Sequence, residues 1–323
     1  MPQGKRLVTA ELLKPAERLM LAVTLGLGVA DLAAVAWRGT AVEWSGYAGI
    51  TAFSAIVLLI GSFYRLTGRS ERLATSLIST ASFVLFTMVA SAFTYQLLPA
   101  WREPIDPWLA SLDAMLGFRW PDALAFAARH PWFAEATRYA YMSSLPQFAI
   151  LVLVLGFSGR IYELHVFMLA TVAACVATIT VWALFPSFGT TTVFAIDPAV
   201  EARLNPLVGS AYGAELKRLA VEGPVLISSK DALGLIAAPS FHTVMALLAV
   251  YSARTVPWLW PGALALNLLV LPGVVIHGGH HLVDVFAGAA VTALGIVAAH
   301  AMLGSAATTR NVAASPDPQD ASA

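Results

Sequence analysis

Long apolar runs separated by short polar segments dominate the chain. A hydrocarbon core about 30 Å thick is crossed by roughly 20 apolar residues in a helix. Eight runs approach that length, at 19–37, 46–64, 77–97, 139–157, 165–185, 241–256, 258–276 and 284–303. Backbone groups in lipid must be hydrogen-bonded within their own segment or within a closed barrel. The pattern therefore predicts an all-α fold, a polytopic transmembrane helix bundle of about eight spans. Between the third and fourth runs, Leu109 to Trp120 carries apolar residues at helical spacing. This predicts one or two interfacial helices in the first long external loop, with Trp101, Trp108, Trp120 and Trp132 at headgroup depth. The segment 186–238 is rich in Pro, Gly and Ser and is longer than a helix connection requires.

The same pattern divides the chain into an N-terminal segment (1–18), a membrane domain (19–303) with a catalytic core at about 186–303, and a tail (304–323). The tail has no periodicity and is expected to be disordered. The first apolar run begins near Leu19, too far from the start for a cleaved signal peptide, so it is expected to be a retained span. Lys and Arg concentrate on the cytoplasmic side of short loops. Lys5, Arg6, Lys14 and Arg18 precede the first run, and Arg65, Arg69 and Arg72 follow the second. Alternation from there puts Arg160, Arg254 and both termini inside, with 98–138 and 186–240 outside. The compact chain fits a bacterial inner membrane.

Composition agrees: 58% of the 323 residues are hydrophobic, 12% are charged, and the mean hydropathy is +0.74. A soluble domain carries about 25% charged residues. Zero net charge removes a basic stripe for nucleic acid and an acidic tail for a basic partner. The single cysteine, Cys175, rules out an intramolecular disulfide and reads as a packing residue. Asp31 is an intramembrane carboxylate, for which a structural hydrogen-bonding role is expected.

Four of the seven histidines fall between Ala237 and Gly288. One cluster is Pro239-Ser240-Phe241-His242; the other is His277-Gly278-Gly279-His280-His281-Leu282-Val283-Asp284. Orientation by alternation puts both on the external face. If the last helix begins near His280, Asp284 lies one turn on and its carboxylate can reach the imidazole. Such a carboxylate fixes the tautomer and raises the basicity of the opposite nitrogen, which can then attack phosphorus or take a proton. Gly278 and Gly279 allow close backbone approach to an anion, with N–H groups at the helix start. Pro239 suits a first helical turn, Ser240 and the amides there make an anion site, and His242 projects from the same turn. Together the two histidines form a nucleophile and general-acid pair. A zinc site built from His277, His281, His242 and Asp284 is the alternative enzymatic arrangement, although Gly278 and Gly279 interrupt the helix that would align His277 with His281. A lipid-binding or transport protein with degenerate clusters is the alternative of another class.

Pro239-Ser240-Phe241-His242 and Gly279-His280-His281-Leu282-Val283-Asp284-Val285-Phe286-Ala287-Gly288 resemble the type 2 phosphatidic acid phosphatase superfamily. The closest likeness is to the branch of the fungal inositol phosphorylceramide synthases and their bacterial relatives, which the stretch from Asp113 to Pro121 also resembles. The resemblance implies a phosphohistidine mechanism without metal or other cofactor. His280 is then the nucleophile, Asp284 its orienting partner and His242 the acid for the leaving alcohol, with Ser240 and Gly279 contacting phosphate. The implied substrate is a lipid-linked phosphate, and the acceptor is water or a lipid alcohol. The superfamily's Lys-x6-Arg-Pro motif is absent, and Gly273-Val274 stands where its Ser-Arg pair would be. The cation that neutralises phosphate is therefore open among Lys217, Arg218, Lys230, Arg102 and Arg138, with Arg218 and Lys230 the expected pair.

Overall fold

Local signals set the helix ends. Pro15 opens α1 (Pro15–Arg38) where a missing N–H costs nothing, the Lys14 amide donates to Glu17 (2.7 Å), and Gly39 closes the helix at φ +67°. The computed structural model describes residues 12–230 and 232–313. After α1 come β1 (Ala41–Val42), α2 (Trp44–Leu66) and α3 (Glu71–Gln96), the last capped by Ser70, which accepts from the Leu73 amide. Three short helices follow, α4 (Asp106–Met115), α5 (Trp120–Arg129) and α6 (Pro131–Met142). The chain continues through α7 (Ser144–Phe157), α8 (Ile161–Leu184), α9 (Pro198–Leu204), α10 (Ser210–Glu222) and β2 (Leu226–Ile227). It ends with α11 (Phe241–Ala253), α12 (Trp260–Ile276) and α13 (Leu282–Ala313). The fold is all-helical apart from β1 and β2, which pair in parallel.

Among the described residues five helices, α1, α2, α3, α8 and α13, are long and apolar enough to cross a membrane. The expected span at 139–157 is instead the pair α6 and α7, bent by 48°, which passes the same test as one broken segment. The sixth and seventh runs form α11, of 13 residues, and α12, of 17, both shorter than a full span. Length and composition thus support five spans, or six with the bent pair, where about eight were expected. The last helix runs on to Ala313, past the expected end at 303, and residues 314–323 lie outside the described part.

The main core packs Phe86 of α3, Phe148 and Leu155 of α7, Phe167 of α8 and Leu248 of α11. Small residues let helices close up, as membrane helices require in the absence of a hydrophobic drive between them. A Cβ on Gly295 of α13 would lie 2.9 Å from the Ala170 carbonyl of α8. One end of the bundle carries an ion cluster, in which Arg65 meets Glu17 at 2.5 Å and Glu71 at 3.0 Å. The other end is where α8 and α12 finish and α11 and α13 start, and α4, α9 and α10 cover it. Trp182, Phe188, Leu216 and Leu219 form a second core there.

Two expectations need correction. Trp101, Trp108 and Trp132 are exposed, but Trp120 is 1% exposed and its indole donates to the Val275 carbonyl at 2.9 Å. Its N–H finds a partner only inside the bundle, so it anchors α5 to α12 rather than sitting at headgroup depth. Asp31 is buried, yet its Oδ1 has no hydrogen-bond partner among the described residues, so the expected bonding role is not seen at that atom.

Candidate active site

The turn between α12 and α13 depends on its glycines. Gly279 has φ +64°, in the region that favours glycine, and its carbonyl accepts from the Thr190 amide (2.8 Å) and hydroxyl (2.9 Å). A Cβ on Gly278 would fall 2.6 Å from the Val274 carbonyl and 2.9 Å from Tyr141 Cε2. Facing this turn, α11 starts at Phe241, two residues later than a first-turn Pro239 requires. Ser240 is its N-cap, with the hydroxyl accepting from the Thr243 amide at 3.3 Å. The Ser240 amide donates to the Asp284 carbonyl at 3.1 Å, tying the two sequence clusters together.

The histidines meet across that tie. The His242 and His280 rings are 6.3 Å apart, centroid to centroid, and both line one cavity. His280 Nδ1 lies 2.9 Å from the Ala237 carbonyl and 3.5 Å from Asp284 Oδ2. A carbonyl and a carboxylate only accept, so Nδ1 carries the hydrogen and Nε2 keeps its lone pair. Asp284, fully buried, also accepts from the His281 amide at 2.8 Å, which fixes the carboxylate in place. His242 Nδ1 instead meets the Tyr141 hydroxyl at 3.2 Å, with the two rings stacked at 4.1 Å.

A charged cluster behind His280 was not anticipated from the sequence. His281 is fully buried, with Nε2 3.5 Å from Asp106 and Nδ1 3.5 Å from Asp113. Burial alone would push its pKa down, but the carboxylates of Asp106, Asp284 and Asp113 outweigh it and hold the imidazole above its ordinary value. Each aspartate also holds backbone. Asp113 accepts from the amides of Leu282 (2.9 Å) and Val283 (3.0 Å), and so caps α13. Asp106 accepts from the Ser187 hydroxyl (2.7 Å) and the amides of Phe188 (2.9 Å) and Gly189 (2.7 Å). The start of α13 is thus occupied by protein carboxylates, where free N–H groups for an anion were expected. The amides of Gly279 and His280 make no hydrogen bond among the described residues. One signal could have found the pair: Asp106 and Asp113, seven residues apart in an apolar helical stretch, lie on one helix face.

The other expected residues are dispersed. Among the described residues no Lys or Arg lines the cavity; its polar side chains are Tyr141, Tyr212, His242 and His280. Tyr212 is held neutral, burial pushing its hydroxyl up to about 12. Arg218 pairs with Glu215 (2.6 Å) and Glu222 (3.5 Å), and Lys230 with Glu43 (3.0 Å). Ser240 is buried as a helix cap and Gly279 supports the Thr190 loop, while Gly278 reaches the cavity. The four residues of the zinc alternative do not converge. His277 points to the Ala134 carbonyl (2.9 Å) and His281 is enclosed by aspartates. Among the described residues no three His, Cys, Asp or Glu side chains are placed to hold a metal ion.

A family model described as the PAP2 superfamily matches residues 107–298, which include α11, α12, the first half of α13, Tyr141 and Asp113. The chain belongs to the PAP2 superfamily. No curated protein and no solved structure matches it. PAP2 membership together with the apolar helices makes this an integral membrane protein of the phosphatase and phosphotransferase class. In this PAP2 chain the matched region holds both histidines of the cavity and the carboxylate behind one of them.

Proposed function

We propose that this PAP2 protein transfers the phosphoryl or phosphodiester group of a lipid through a covalent intermediate on His280. The observation that carries the reading is the unlike pair of Nδ1 partners. His280 is backed by a carbonyl and an anionic carboxylate, which leave Nε2 nucleophilic. His242 is backed by a neutral hydroxyl, which orients the ring and can either donate to Nδ1 or accept from it. Nε2 of His280 attacks phosphorus and the bond to the leaving oxygen breaks, that oxygen taking a proton from His242. Water or a lipid hydroxyl then attacks phosphorus and gives its proton to His242, and the P–N electron pair returns to Nε2. Water as acceptor makes the protein a phosphatase, and a lipid alcohol makes it a transferase, as in the branch of the inositol phosphorylceramide synthases.

The polar neighbours of the phosphate in this reading are the amides of Gly279 and His280 and the cavity hydroxyls. Arg218 and Lys230, proposed to supply positive charge, must each leave a glutamate to reach it. The site is proposed to face the external, periplasmic side of a bacterial inner membrane. Lys14, Arg65, Arg72, Arg160 and Arg254 support this, because they cap or end helices at the opposite pole of the bundle.

The test is turnover in detergent micelles with phosphatidic acid, and with a phosphodiester lipid plus diacylglycerol as acceptor. His280→Ala and His242→Ala are expected to lose at least about 100-fold of the release or transfer rate. Wild-type rates in a folded His280→Ala protein would sink the reading, and lipid binding without any phosphate release would favour a binding or transport function.

A further inference from the structure

We propose that Tyr141 is a positioning residue that couples occupancy of the cavity by a phosphate to the protonation of His242 at Nδ1. The inference rests on the reading of the site given above. The Tyr141 hydroxyl lies 3.2 Å from His242 Nδ1, and the same side chain lines the cavity shared by His242 and His280. Among the described residues that ring nitrogen is the hydroxyl's hydrogen-bond partner. A hydroxyl can donate and accept, unlike the carbonyl and carboxylate behind His280.

The consequence is a two-way contact. In the empty cavity the hydroxyl proton has Nδ1 as its acceptor, which puts the hydrogen of a neutral His242 on Nε2. A phosphate in the cavity offers oxygen acceptors. The anion favours the cationic imidazolium, so His242 takes a second proton, on Nδ1, from the entering monoprotonated phosphate ester. The hydroxyl proton turns to the anion, and the hydroxyl lone pair accepts the N–H of Nδ1. His242 then keeps a hydrogen on Nδ1 through both half-reactions. Nε2 is left free to give its proton to the leaving oxygen and, once unprotonated, to take one from the attacking water or alcohol. The hydroxyl also supplies a donor to the anion in a cavity whose lining, among the described residues, contains no Lys or Arg.

The ring is placed for this by packing rather than by chance of rotamer. It stacks on His242 at 21° between planes, and Gly278 and Gly273 make room for it. A Cβ at Gly278 would lie 2.9 Å from Tyr141 Cε2, and one at Gly273 would lie 3.2 Å from Tyr141 Cβ. The close turn of the catalytic loop and the tail end of α6 therefore fix one another.

Tyr141→Phe removes the hydroxyl and keeps the stack. The probe is p-nitrophenyl phosphate, whose leaving group departs without a proton, compared with phosphatidic acid, whose alcohol needs one. For Tyr141→Phe with the nitrophenyl ester, formation of the phosphohistidine is expected to persist while its breakdown slows. The drop is on the order of 10- to 100-fold, part of the roughly 10²–10⁴-fold that a positioned acid–base group supplies. Label trapped on His280 should rise as turnover falls. With phosphatidic acid, formation should slow as well. Equal turnover and equal trapped label in Tyr141→Phe and wild type overturn the inference. So does an equal loss of formation and breakdown with both esters that tracks a fall in thermal stability. Wild type that turns over both esters without label on His280 overturns the phosphohistidine reading first, and this inference with it.

Discussion

Two imidazoles of one cavity differ in what stands behind them, and that difference is set by single side chains. Asp284 is fully buried and touches His280 only at 3.5 Å, while it accepts a 2.8 Å bond from the His281 amide. In the proposed mechanism its part is to keep the hydrogen of His280 on Nδ1 and to stabilise positive charge as the P–N bond forms. Asp284→Asn keeps the shape and replaces an acceptor-only oxygen by an amide that can donate, so the wrong tautomer becomes available. The comparable change in a catalytic triad costs about 10⁴-fold in kcat, and a loss of roughly 10²–10⁴-fold in kcat is expected here. Steady-state kinetics check it; an unchanged kcat would show that the Ala237 carbonyl alone sets the tautomer. These residues were legible in the sequence because Gly279, His280 and Asp284 are close in the chain and few polar residues compete with them. Tyr141 was not legible. It lies 101 residues from His242 in the chain, in a run that reads as an ordinary span, and only the fold brings the two together.

At the level of elements, α4 acts as the clamp of the site. Through Asp113 it caps α13, and through Asp106 it holds the loop at Ser187 to Gly189. His281 sits between them as the counter-charge. Removing one partner from a buried ion pair leaves the other uncompensated, at a cost of about 3–5 kcal/mol. His281→Gln is therefore expected to lower unfolding stability by about that amount, measured by denaturant titration in detergent. A cost below about 1 kcal/mol would mean that the aspartates are satisfied by their amide bonds alone. The pH dependence has a definite sign. The imidazole pKa is raised in the folded protein, so the stabilisation is complete below the ordinary value near 6.5 and is lost as pH rises through the raised value. The slope should be absent from His281→Gln. Hydropathy located the helical segments but not their lengths as spans, because α11 and α12 gain packing from neighbours that a window on one segment does not see. The bend between α6 and α7 falls inside one apolar run for the same reason. In the first long loop Trp101, Trp108 and Trp132 are exposed, and the interfacial reading fails at Trp120, whose indole finds the Val275 carbonyl.

Over the whole molecule, polar chemistry is confined to the two ends of an apolar bundle. One end holds the buried Arg65 and Glu17 pair with the more exposed Glu71 beside it, where α1, α2 and α3 are tied together. The other holds the two-histidine cavity under α10 and the loop before α11. The all-helical membrane class was legible from apolar run length, and the PAP2 superfamily from two short motifs that the family match at 107–298 contains. What composition left open was the cation, and the structure explains the difficulty: the expected Arg218 and Lys230 are engaged with glutamates away from the cavity lining. The central claim is that a covalent bond forms between His280 and phosphorus. It is tested most directly by incubating the intact protein in detergent with lipid phosphates carrying labelled phosphorus, quenching, and measuring acid-labile label on the chain. Label on wild type and none on a folded His280→Ala protein is the predicted result. Equal label on both proteins, or turnover by wild type without label, would contradict the account.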